Sequence, residues 1–127
     1  MKITYSQALS FKRFAQTIEQ HKFPLRTAFR ISVIRRGVEE NLNFYFEELA
    51  KLLDEYAIKD ENGKFEVDEH GNYKVVPDKI PECNEKITNL LNFEFEIEAS
   101  KLELADLESL ELSVEELSSI YPFIEEQ

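Results

Sequence analysis

In 127 residues the chain holds one cysteine, three glycines, four prolines and no tryptophan. Cys83 alone cannot close an internal disulfide, which fits a reducing compartment. Gly37, Gly63 and Gly71 stand too far apart to form a phosphate-cradling loop. Two histidines, His21 and His70, beside one cysteine give no closely spaced pair of zinc ligands. No run approaches the about 18 apolar residues that a membrane span needs. Met1-Lys2-Ile3-Thr4-Tyr5-Ser6 lacks the apolar stretch of a signal peptide, so a cytoplasmic protein is expected. Scarce glycine and proline beside 43% hydrophobic residues argue against disorder. A chain of this length suits one domain, with a core large enough to need neither metal nor disulfide.

What the chain does hold is charge, unevenly placed. The net charge is −11. Residues 1–36 carry eight Lys or Arg against the single acid Glu19, a balance of +7, while residues 37–127 carry a balance of −18. Either the two ends neutralise each other in the fold, or each faces a different partner.

Hydrophobic spacing predicts a mainly helical α+β protein. A helical part over residues 1–58 is followed by a smaller acidic α+β part over 59–127. Ala8, Phe11, Ala15 and Ile18 form one stripe of a first helix, capped by Ser6 and running to about His21. Pro24 interrupts it. From Leu25 to about Ile58 the residues Ile31, Ile34, Val38, Leu42, Tyr45, Leu49, Leu52 and Tyr56 recur by threes and fours. At 100° per residue they share an arc of roughly 80°. Leu25, Phe29 and Val33 project on the opposite side, so this half is expected to be sandwiched between two elements. Gly37 is the natural place for a bend. Unbroken, the helix would span about 50 Å, against an expected radius of gyration of about 14 Å. Leu42, Tyr45, Leu49, Leu52 and Tyr56 therefore also qualify as a seam for a homodimer.

Lys64-Phe65-Glu66-Val67 and Asn72-Tyr73-Lys74-Val75-Val76 alternate around Asp68-Glu69-His70-Gly71 as a β-hairpin would. A helix bearing Ile80, Cys83, Ile87, Leu90 and Leu91 follows Pro77. Phe93, Phe95 and Ile97 then alternate with Glu94, Glu96 and Glu98, a third strand expected to pair with the hairpin. The leucines from Leu102 to Leu112 mix periods and read as irregular and buried. Ser113 and Glu116 make a capping box for a last helix, with Leu112 and Leu117 as its staple and Pro122 at its end.

Chemistry is scarce along this outline. Asp60-Glu61-Asn62-Gly63 has its glycine two positions early for a calcium loop, with Lys64 where a ligand belongs. Cys83 lies on an apolar stripe, as a buried inert thiol does. No catalytic residues, metal or cofactor are expected. Arg26 and Arg30 share a face while Arg35 and Arg36 point elsewhere, a poor track for phosphates, so direct nucleic-acid binding is disfavoured. Arg26, Arg30, Arg35 and Arg36 are better read as a protein-binding surface. Glu94, Glu96 and Glu98 would stand about 6.6 Å apart, near the phosphate spacing of a nucleic-acid strand, so they are a second such surface and a candidate nucleic-acid mimic.

Leu53-Asp54-Glu55-Tyr56-Ala57-Ile58-Lys59-Asp60-Glu61-Asn62-Gly63, the hairpin after it, Phe95-Glu96-Ile97-Glu98 and Leu107-Glu108-Ser109-Leu110-Glu111-Leu112-Ser113 carry a resemblance. Over about Arg26 to Tyr121 the chain resembles a protein family of phages and prophages of Gram-positive bacteria that is catalogued as a domain of unknown function. The resemblance implies a phage origin and the cytoplasm of a bacterial host, and it brings no catalytic residues. The expectation is a small non-enzymatic phage protein that binds a host or phage protein, modulating or inhibiting a host system. A particle assembly accessory and an acidic DNA-mimic inhibitor are the alternatives.

Overall fold

The computed structural model describes residues 1–125. The elements run β1 (Lys2–Thr4), α1 (Tyr5–Thr17), α2 (Leu25–Tyr56), α3 (Ile80–Leu91), β2 (Glu94–Glu96) and α4 (Val114–Ser119), with short 3-10 turns at Pro77–Lys79, Leu104–Leu107 and Tyr121–Phe123. The fold is mainly helical α+β. It divides into two compact units, Met1–Asn43 with the chain from Asn92 onward, and Phe44–Leu91, so the boundary lies inside α2.

The first unit is built around α1 packed on the first half of α2. Thr4, not Ser6, caps α1. Its hydroxyl accepts from the Gln7 N–H at 3.2 Å, and the Gln7 side chain accepts from the Thr4 N–H at 2.9 Å. This reciprocal pair satisfies two orphan donors at once. The cap sits early because residues 2–4 form a strand that the sequence reading missed. β1 pairs antiparallel with β2, Lys2 opposite Glu96, Ile3 opposite Phe95 and Thr4 opposite Glu94. The ladder extends to Met1, whose amine donates to the Ile97 carbonyl at 2.7 Å while its carbonyl accepts from the Ile97 N–H at 2.9 Å. A strand does form at Glu94–Glu96, but as one of a two-stranded sheet whose other strand is the N-terminus; the expected third strand on a hairpin is absent among the described residues. Tyr5 lies against Phe95, ring centroids 4.6 Å apart, and Phe11 lies against Phe123 at the same separation. Leu102 bridges Ile124 in parallel, which ties the C-terminal segment into this core.

α2 is unbroken through Gly37. The glycine is there for space. A Cβ at this position would lie 3.2 Å from the Ile97 Cβ, closer than packed carbons normally stand. The expected sandwich is absent as well, since Leu25 is 87% and Phe29 67% exposed.

In the second unit the expected hairpin does not form. Single bridges replace it, Lys59 to Phe65, Val67 to Tyr73 and Val75 back to Ala57. Backbone N–H groups close a triangle, Ile58 to Lys74, Lys74 to Glu66 and Glu66 to Ile58. The cause is an eight-residue repeat, Asp60-Glu61-Asn62-Gly63-Lys64-Phe65-Glu66-Val67 and Asp68-Glu69-His70-Gly71-Asn72-Tyr73-Lys74-Val75. In each copy one aspartate oxygen accepts two backbone N–H groups, from Asn62 and Lys64 for Asp60 and from His70 and Asn72 for Asp68. The glycines take φ of +78° and +79°, a region that Gly occupies without a side-chain penalty. A tight turn every eight residues leaves room for three extended residues between turns, too few for a hairpin ladder. It also commits the Asp60 carboxylate to its own loop.

Tyr56, which ends α2, and Cys83, in α3, are buried in this unit. The ammonium groups of Lys86 and Lys79 lie 5.0 and 5.9 Å from the centroid of the Tyr56 ring. The Tyr56 hydroxyl is buried, with the Lys86 ammonium and the Glu82 carboxylate as its polar neighbours.

Candidate functional site

The first turns of α2 present two different faces. Thr27, Ile31, Ile34, Val38 and Leu42 are buried on the inner one. At 100° per residue, Leu25, Phe29, Val33, Arg36 and Glu40 share an arc of about 80° on the opposite side. All of them are exposed except Val33, which is half-buried. An exposed leucine alone means little, but a leucine and a phenylalanine one turn apart, both largely in water, are an unpaired apolar surface.

Four arginines were expected to act together here, and the structure separates them. Arg30 donates to Asp106 at 3.1 Å and lies 3.8 Å from Glu103. Thr27, buried, donates its hydroxyl to the same carboxylate at 3.0 Å. Burial works against the charged form of Asp106. The Glu103 N–H, Thr27 and Arg30 outweigh it, and the carboxyl titrates below its ordinary range. Arg35 reaches Glu39 at 3.2 Å and Glu19 at 3.4 Å. Arg30 and Arg35 thus neutralise acids of their own chain. Arg26 and Arg36 form no ion pair among the described residues and stay exposed, flanking Leu25 and Phe29.

Glu94 and Glu96 are exposed on β2, with Glu98 exposed just beyond it. Lys2 stands directly opposite Glu96, so this acidic row is interrupted by a cation. Of the predicted seam, Leu42, Tyr45 and Tyr56 are 1%, 6% and 1% exposed, while Leu49 and Leu52 are half-buried. Most of that stripe is spent inside the chain.

One pairing escaped the sequence reading. His21 Nε2 lies 3.0 Å from Ser109 Oγ, the distance a nucleophile and its base would keep. Both side chains are exposed, and the His21 ring meets the edge of Phe23. No group orients its second nitrogen among the described residues. Eighty-eight positions separate the two in sequence, and nothing local signals the contact. Among the described residues no group of three or more His, Cys, Asp or Glu is placed to hold a metal ion. The Cys83 thiol is pushed up by burial, away from the reactive thiolate.

Residues 18–121 match the family described as "Protein of unknown function (DUF1617)". The chain belongs to this family. No curated protein and no solved structure matches it. The matched span takes in α2, the repeat turns, α3, β2 and α4, while β1 and α1 precede it. Among the described residues no helix is long and apolar enough to cross a membrane.

Proposed function

We propose that the protein acts without catalysis, by binding another protein through the outer face of the first turns of α2. In this reading it is a phage protein that works in the cytoplasm of a bacterial host and modulates or inhibits a host system. The observation that carries the binding role is the exposure of Phe29 beside Leu25, Arg26 and Arg36. Aromatic and arginine side chains are the groups that anchor protein interfaces, and here they stand together, exposed, with no ion pair to either arginine among the described residues. An assembly role through the 42–56 stripe has less free surface to use, since Leu42, Tyr45 and Tyr56 are buried. Mimicry of nucleic acid through Glu94, Glu96 and Glu98 would rest on a three-residue strand with Lys2 across from it.

The test compares the wild type with the double variant Leu25→Glu, Phe29→Glu as baits in host lysate at moderate salt. Both positions are exposed, so the variant is expected to keep the wild-type melting temperature. A defined set of proteins retained by the wild type and lost from the variant supports this reading. Identical retention by both baits, or no retention by either, overturns it. Recovery of the protein from purified virions would favour the assembly role.

A further inference from the structure

The outer face of α2 carries more than apolar surface; it carries charge in a self-complementary order. From the N-terminal end the stripe reads Leu25, Phe29, Val33, Arg36, Glu40, with Arg26 on its flank. Arg26 and Glu40 lie on the same side of the stripe, displaced by about 60° and about 20° from its centre at Phe29. Two such helices laid antiparallel about a two-fold axis near Val33 place Phe29 opposite Arg36 and Arg26 beside Glu40. In an antiparallel pair each flank meets its own copy, so both Arg26–Glu40 contacts form at once. A two-fold interface requires this, with residue i meeting residue j while j meets i.

We infer that this face is a self-association surface whose occupant is a second copy of the chain, set in register by Arg26 against Glu40. The inference rests on the binding role proposed for this face, which a second copy covers reversibly when no other partner is present. Phe29 would bury its ring under the Arg36 guanidinium, a contact that arginine makes readily. An acidic partner from elsewhere would meet Glu40 as a like charge, whereas a second copy turns Glu40 into an asset. The stripe from Leu25 to Glu40 is only about 22 Å long. It covers less than the about 1,600 Å² typical of a standard interface, so the association is reversible and weakens with salt.

Charge reversal tests the register. Sedimentation equilibrium of the full chain at low salt is expected to show a monomer–dimer equilibrium. Arg26→Glu alone and Glu40→Arg alone each place two like-charge contacts in the dimer and should weaken its Kd by about tenfold or more. Mixed together, the two single variants should associate again, because each supplies the charge that the other has lost. The double variant R26E/E40R should likewise recover. Both positions are exposed, and unchanged far-ultraviolet dichroism guards against misfolding. A wild type that stays monomeric at every concentration, single reversals without effect, or a mixture that fails to associate each overturn the inference. If the wild type is monomeric while Leu25→Glu, Phe29→Glu still loses a lysate partner, self-pairing falls and the heterologous binding role stands.

Discussion

Gly37→Leu is expected to destabilise the fold by about 3 kcal/mol, read as a lowered midpoint of urea unfolding. Glycine in the middle of a helix costs on the order of 1 kcal/mol relative to alanine, so adding a side chain would ordinarily help. Here it would not. An added Cβ would meet the Ile97 Cβ at 3.2 Å and its Cγ2 at 3.3 Å. Ile97 is 4% exposed, and its backbone is held on both sides by Met1, so it cannot simply retreat. For Gly37→Ala the propensity gain and the short contact are of similar size and opposite sign, and a net change near zero is expected. Leucine adds three further carbons to the same gap, and the clash wins. Ile97→Ala alone should cost about 3 kcal/mol as an ordinary core truncation. Combined with Gly37→Leu it should cost clearly less than the two together, because the new side chain fills the space that Ile97 vacates. Additive costs in that double variant would show that the two positions do not touch.

Gly37 also marks where the sequence stops speaking. One apolar periodicity set the length of α2, and it did so well, because a buried stripe on a long helix repeats often enough to read. The Ser113–Glu116 capping box was legible for a similar reason: both of its bonds join residues three apart. β1 escaped because three residues are too short for a period, and its reason to be a strand lies at Glu94–Glu96, ninety or more positions away. The hairpin was misread because alternation around Asp68–Gly71 looks the same for a ladder as for one bridge of a triangle. The eight-residue repeat beginning at Asp60 was the signal that distinguishes the two. Leu25, Phe29 and Val33 were read correctly as a second apolar side, and wrongly as a covered one. Periodicity locates an apolar face and says nothing about what lies on it. The arginines divided for the same reason. Arg26 and Arg30 are one turn apart on one helix, and the distant Asp106 and Glu103 decide that Arg30 is structural while Arg26 has no ion pair among the described residues.

Asp106→Ala is expected to cost about 3 kcal/mol, since it removes one acceptor and strands three donors. The Thr27 hydroxyl, 7% exposed, would have no partner left, and the Arg30 guanidinium would keep only Glu103 at 3.8 Å. Asp106→Asn separates charge from shape. Its carbonyl can still accept from Thr27, but its amide nitrogen would face Arg30 and the Glu103 N–H, which are both donors. The wild-type carboxyl titrates below the unfolded value of about 3.9, because its three donors outweigh the effect of burial. A carboxylate with a depressed folded pKa contributes stability above the unfolded pKa and loses it as pH falls through the folded one. The stability gap between wild type and Asp106→Asn should therefore be flat from neutral pH down to about 5, then narrow steadily below about 4. Urea unfolding of both proteins across that range measures the gap directly. A gap that persists undiminished in acid would assign the effect to the lost hydrogen-bond geometry, and the negative charge of Asp106 would then have no part in holding the Leu104–Leu107 turn to Arg30 on α2.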